Sequence, residues 1–172
     1  NLVRHVISPG ERKAHVFLEE AEKASLRAQN LTQQLLTFSK GGEPVKQTAS
    51  IHNTIKDSTA FALRGTDIRY EYKMPADLWP VNVDLGQISQ VIQNIVLNAR
   101  QAMPNGGTVK ISCSNIHPEQ EKSVVLQKNR KFIQVKITDS GSGMPAELVD
   151  NIFDPYFTTK KKGSGLGLAT AY

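Results

Sequence analysis

Between residues 90 and 101 four amides recur at helical spacing: Gln90, Asn94, Asn98 and Gln101. Positions i, i+4, i+8 and i+11 share one stripe, bordering an apolar face of Ile88, Val91, Ile92, Ile95, Ala99 and Ala102. Amides beside a core-facing stripe are expensive to bury unless something binds them. An amide oxygen is a hard donor suited to Mg2+, an ion that usually keeps several waters and takes phosphate oxygens. Because the donor is neutral, the metal would have to arrive with a nucleotide. Solvated or capping amides account for the same spacing, and on this helix alone that plainer account is preferred.

Two more segments carry chemistry. In the first, an alternating strand from Phe132 delivers Asp139-Ser140-Gly141-Ser142-Gly143, an acid followed by glycines that let the backbone turn closely around a ligand. An acid fixed there could accept a hydrogen bond from an adenine amino group, and a base without that donor would leave it unpaired. A simple Asp-Ser-Gly turn remains open. Gly141, Gly143 and Ala146 also fit a dinucleotide fingerprint, but that needs a full helix and then a strand ending in an acid. Asn151 to Phe157 is no such strand, so this reading is disfavoured. In the second segment, Gly163, Gly165, Leu166 and Gly167 follow Lys160-Lys161-Lys162. Alternate glycines leading into a helix turn backbone N–H groups toward an anion, and the lysines could reach terminal phosphates. No P-loop pattern occurs, and a flexible loop with solvated charge remains open for this segment.

The elements that must position these groups are legible as periods. Asp84 caps a helix to about Met103, and a second helix runs from about Ile51 to Leu63. Strands are expected near 68–73, 79–83, 108–115 and 132–138, and a short helix at 145–152. Pro104-Asn105-Gly106-Gly107 reads as a hairpin-type turn, and the polar residues 117–130 as a loop. Helices mixed with antiparallel hairpins predict an α+β sandwich, one sheet covered by helices on one face. Residues 11–39 repeat Leu18, Ala21, Ser25, Ala28, Thr32, Leu35 and Ser39 at helical spacing, after a tight connection at Ser8-Pro9-Gly10. That pattern suits a helical hairpin, or equally a helix packed on its own domain. Gly41-Gly42-Glu43-Pro44 is the expected boundary.

Bulk properties exclude more than they assign. The chain has 172 residues, 39% hydrophobic and 22% charged, enough for a packed core. No stretch approaches the ~20 apolar residues of a membrane span. One cysteine, Cys113, excludes an internal disulfide and fits a reducing compartment. The net charge of +5 is scattered among acids rather than patched and says little about function by itself; no nucleic-acid partner is expected.

Together the motifs resemble those of two-component sensor histidine kinases, nitrogen-regulator-like or hybrid in type. Gln90 to Ala102 is similar to the N box, Asp139 to Gly143 to the G1 box, Ile152 to Lys160 to the F box, and Gly163 to Leu168 to the G2 box. Ala28 to Ser39 resembles the second dimerisation helix. The resemblance implies a two-layer Bergerat fold over 41–172, truncated at its C-terminus, behind a partial dimerisation and phosphotransfer hairpin at 1–40. It implies ATP and Mg2+ as cofactors, Asn98 on the metal and Asn94 on the same phosphate side. Asp139 would take the adenine amino group, with Gly141 and Gly143 shaping the pocket. Phe153 and Phe157 would anchor a reduced lid, Lys160 would contact phosphate, and Gly163, Gly165, Leu166 and Gly167 would flank it. Implied partners are a second copy through the hairpin and a response-regulator receiver, with the segment cytoplasmic and free of membrane contact. None of His5, His15, His52 and His117 stands in the acid-following context of a phosphoacceptor, so this segment alone is not expected to autophosphorylate. Two other functions stay open: an ATPase of the same fold, disfavoured because Asn94 stands where a general-base Glu would be, and a non-catalytic nucleotide-binding dimerisation module.

Overall fold

The computed structural model describes residues 14, 16–18, 20, 21, 25, 44–117, 131–160 and 163–171. The chain divides into two compact units, Asn1–Gly42 and Glu43–Tyr172. In the first unit, the described residues are helical, and Val16 and Phe17 are exposed. The tight connection at 8–10, the seam beyond Ser25, and His5 and His15 lie outside the described residues. So does most of the loop expected at 117–130.

The second unit runs β1 (Gln47–Ala49), α1 (His52–Ala62), β2 (Ile68–Lys73), β3 (Val81–Val83), α2 (Leu85–Ala102), β4 (Gly107–Ile116) and β5 (Phe132–Asp139). Short 3-10 helices follow at Ala146–Asn151 and Ala169–Ala171. In α1, Ile55, Ser58, Thr59 and Ala62 are buried at 3–4 spacing and face inward. α2 begins where the Asp84 carboxylate accepts the N–H groups of Gly86 at 2.8 Å and Gln87 at 3.1 Å. Its other oxygen accepts the Val45 N–H at 3.0 Å, so one cap also ties down the approach to β1. Pro104 cannot continue the helix, and Gly106, at φ +87°, turns the chain into β4.

The core lies between the helices and β4. Ile55, Val96 and Val109 have no exposed surface, and Ile111 and Ala99 join them. Each fully buried aliphatic side chain contributes about 1.5–3 kcal/mol. Alternation along β4 sends Val109, Ile111 and Cys113 to the helices and Lys110 to solvent, where it lies 3.8 Å from Glu71 of β2. Burial pushes the Cys113 thiol pKa up. Asn115 bridges two backbone groups: its oxygen accepts the Trp79 N–H and its amide donates to the Asp77 carbonyl.

Helices over one face of a sheet agree with the expected sandwich, but the strand pairing differs from the sequence reading. In the three-stranded sheet β2 pairs with β4 in parallel, Ile68 opposite Gly107, and β4 pairs with β5 antiparallel. A parallel partner needs a crossover, here through β3 and α2. Consequently Pro104–Gly107 joins a helix to a strand rather than closing a hairpin. β1 was not expected; it pairs with β3 in a separate two-stranded sheet. The expected helix at 145–152 is a 3-10 helix, as is the helix expected after the last glycines.

Candidate functional site

Three segments remote in sequence meet along one flank of α2, at successive turns. At the first, the buried Asn94 donates from Nδ2 to the Gly167 carbonyl at 3.0 Å and to Thr170 Oγ1 at 2.9 Å. One turn on, Asn98 Oδ1 accepts the Lys160 ammonium at 3.0 Å, and Gln101 Oε1 accepts the same ammonium. At the last turn, the backbone of Gly141 packs against Ala102. A Cβ added to Gly141 would lie 2.7 Å from Ala102 Cβ and 2.9 Å from its carbonyl oxygen, so only glycine fits there. The Ser142 N–H donates to that same carbonyl at 3.3 Å. Positions 94, 98 and 102 are four apart and span about 12 Å of helix.

The acid at the end of β5 is held by its own turn. Asp139 Oδ1 accepts the Gly141 N–H at 2.9 Å, while the Ser140 N–H extends the β4–β5 ladder to the Thr108 carbonyl at 3.2 Å. Ser140 Oγ accepts the Thr108 N–H at 3.0 Å. This leaves the exposed carboxylate beside the final turn of α2.

Between Asp154 and Gly167 the chain is fastened twice. Asp154-Pro155-Tyr156-Phe157 is a β-turn closed from the Phe157 N–H to the Asp154 carbonyl at 3.1 Å. Proline at its second position and a left-handed third residue make it type II, with Tyr156 at φ +69° where glycine or asparagine is usual. The Tyr156 N–H then donates to the Gly165 carbonyl at 3.0 Å. Gly165 is itself at φ +68°, and a Cβ there would lie 2.6 Å from Tyr156 Cα. Leu166 is buried, anchoring the second end.

Residues 83–172 match the model of the family described as histidine kinase-, DNA gyrase B-, and HSP90-like ATPase. The chain belongs to this family. Within the family it is similar to the sensor kinase CckA of Brucella abortus (strain 2308), 36% identical over 153 residues. Those cover 85% of this chain and 16% of that protein. Sensor protein FixL of Bradyrhizobium diazoefficiens is 30% identical over 94% of this chain and 30% of its own length. The chain thus spans less than a third of these two curated relatives. Among solved structures, histidine kinase ThkA in complex with response regulator protein TrrA aligns with a TM-score of 0.61 at 22% identity, over 90% of this chain and 43% of that one. The fold is therefore the two-layer α+β architecture of histidine kinase catalytic domains, and this is an ATP-binding domain of that kind.

Against the family motifs, the N-box residues Asn94 and Asn98, the G1 residue Gly141, the F-box Lys160 and the G2 residue Gly167 are brought onto α2 directly. Asp139, Gly165 and Leu166 are held beside them through the contacts above. Gly143, at φ +70° with open space around it, and Gly163, packed on Thr158, turn the chain locally. Phe157 is half-buried, whereas Phe153 is 42% exposed. Sequence reasoning did not assign Gln101, Tyr156 or Thr170. Only Gln101 carried a signal, its place on the amide stripe. His52 is structural: its ring nitrogens pair with Ser50 Oγ and the Pro75 carbonyl, each at 3.0 Å. His117 stands edge-on to Trp79.

The donor set suits a nucleotide-bound cation. Two neutral amide oxygens, on Asn98 and Gln101, converge on one positive charge, the Lys160 ammonium, and they are hard donors of the kind that Mg2+ takes. Desolvation there lowers the Lys160 pKa from the usual lysine value. A cavity of 1060 Å3 opens elsewhere, between β3, the Ile88–Val91–Ile95 face of α2 and β5. None of the candidate site residues lines it, so its size does not make it the site. Among the described residues no His/Cys/Asp/Glu cluster could hold a metal, and no helix is long and apolar enough to cross a membrane.

Proposed function

We propose that this chain is the nucleotide-binding part of a two-component sensor kinase, which donates the γ-phosphoryl of Mg·ATP to a histidine on the dimerisation helices. From there the group passes to an aspartate of a response regulator. The observation that carries the reading is the convergence of Asn94, Asn98 and Ala102, at successive turns of α2, on Gly167, Lys160 and Gly141. In this reading Asp139 accepts the adenine amino group and Gly141 and Gly143 shape the base pocket. Asn98 ligates Mg2+, with Asn94 on the phosphate side. Gly163, Gly165, Leu166 and Gly167 flank the phosphates, Phe153 and Phe157 anchor the lid, and Lys160 turns to the terminal phosphate. Bound Mg2+ supplies neutralisation of the phosphate charge; the protein's part is positioning.

Residues 1–40 are read as part of the helical hairpin through which two copies associate. The ThkA–TrrA complex supports a receiver domain as partner, and in this reading the kinase works in the cytoplasm. Steady ATP hydrolysis is disfavoured: Asn94 is an amide occupied with Gly167 and Thr170, and an amide takes no proton from water. Calorimetry of the 172-residue chain with the ATP analogue AMPPNP, with and without Mg2+, tests the reading. Metal-dependent, adenine-selective binding is expected. No binding, or equal binding of a guanine analogue, overturns it.

A further inference from the structure

We propose that Gln101 is a positioning residue which, together with Asn98, parks the Lys160 ammonium in the cation position, so that lysine and a nucleotide-bound metal compete for one amide oxygen. The inference rests on Asn98 being the metal ligand. Asn98 and Gln101 are three apart on α2, neighbouring positions on a helix surface, and both direct their oxygens at the same nitrogen. An ammonium has three protons to donate and no lone pair to accept with, so two carbonyl-type oxygens satisfy most of its capacity. Charged hydrogen bonds of this kind are roughly twice as strong as neutral ones.

The lysine reaches this place from a segment that is itself fastened. Its backbone N–H donates to Thr158 Oγ1 at 3.1 Å and its carbonyl accepts the Gly163 N–H at 3.1 Å. Thr158, Lys160 and Gly163 are thus tied to one another, and from this backbone the Lys160 ammonium reaches α2. Asn98 cannot serve a divalent ion and the ammonium together without placing like charges against one oxygen. Metal entry thus expels Lys160, and the expelled side chain is then available to an incoming phosphate. Gln101 belongs only to the parked state. It raises the metal concentration that nucleotide binding requires, without touching the ligand.

The test is a double-mutant cycle on the full chain, with AMPPNP affinity measured calorimetrically across a Mg2+ series. Gln101→Leu removes one of two holders, so half-saturating Mg2+ is expected to fall between about twofold and tenfold. In a Lys160→Met background the same substitution is expected to change nothing, because the competitor is gone. A second readout needs no nucleotide. Acylation of Lys160, followed by peptide mass spectrometry, is expected to proceed severalfold faster in Gln101→Leu than in the unaltered chain. Weaker binding by Gln101→Leu, an equal shift in both backgrounds, or unchanged labelling overturns the proposal. If the unaltered chain binds no Mg·AMPPNP, the sensor-kinase reading falls first, whereas normal binding with no response to Gln101→Leu removes only this inference.

Discussion

Gly165 and Gly143 offer a matched pair of substitutions. Both sit in the left-handed region, at φ +68° and +70°. Alanine at either site therefore costs about 1 kcal/mol of backbone strain. They differ in what surrounds the new methyl. At Gly143 nothing lies within 4 Å, whereas at Gly165 the Cβ would meet the Tyr156 carbonyl oxygen at 2.5 Å and Cα at 2.6 Å. Backbone cannot rotate aside as a side chain can, and such overpacking adds roughly 1–3 kcal/mol. Gly165→Ala should therefore cost about 2–4 kcal/mol, against about 1 for Gly143→Ala. The larger penalty is relieved by breaking the clip between the Tyr156 N–H and the Gly165 carbonyl, which is local rather than global. Hydrogen exchange of the Tyr156 amide reads that opening. It should accelerate about 30- to 1000-fold in Gly165→Ala and remain near its starting value in Gly143→Ala. Equal protection in the two variants would refute the reasoning, since the contact with Tyr156 is the difference between them.

Other outcomes follow from the same geometry. Asn98→Ala should abolish the Mg2+ dependence of AMPPNP binding in calorimetry while leaving the melting temperature nearly unchanged, since this side chain is only half-buried. Asp139→Ala should lower affinity for the adenine nucleotide at least about tenfold, as the base loses a charged acceptor; competition with a guanine analogue measures the lost selectivity. Asp84→Ala removes the α2 cap and the tie to Val45, and urea unfolding should register a loss of about 1–2 kcal/mol. For Cys113 the raised pKa keeps the thiol protonated in the folded state, so its contribution to stability is full below the ordinary thiol pKa. It declines as pH rises through that value toward the folded one. Labelling by a thiol reagent at pH 8 should be slow until urea unfolds the chain.

What was legible in the sequence was what repeats locally. α2 announced itself through its period and Asp84, and the same period put Asn94 and Asn98 on one stripe before any fold was known. β1 was invisible because three residues, mostly exposed, become a strand only by pairing with β3 some 34 residues away. The parallel β2–β4 pairing depends on a crossover, which no short window contains. Asn105-Gly106 misled because a left-handed glycine serves a helix end as well as a hairpin; only the preceding element tells them apart. In the site, Tyr156 was illegible for the opposite reason. Its residue type argues against a positive φ, and the turn is set by Pro155 and by the contact with Gly165.

Because one helix carries all three junctions, α2 acts as a ruler for the site. A residue inserted between Asn94 and Asn98 would rotate everything beyond it by about 100° and swing Asn98 and Ala102 away from their partners. The connections outside the helix face no such constraint: a longer chain between β5 and Lys160 need only return to the same turn. Changes of length in this domain should therefore be tolerated in the connections and forbidden along eight consecutive steps of a single helix.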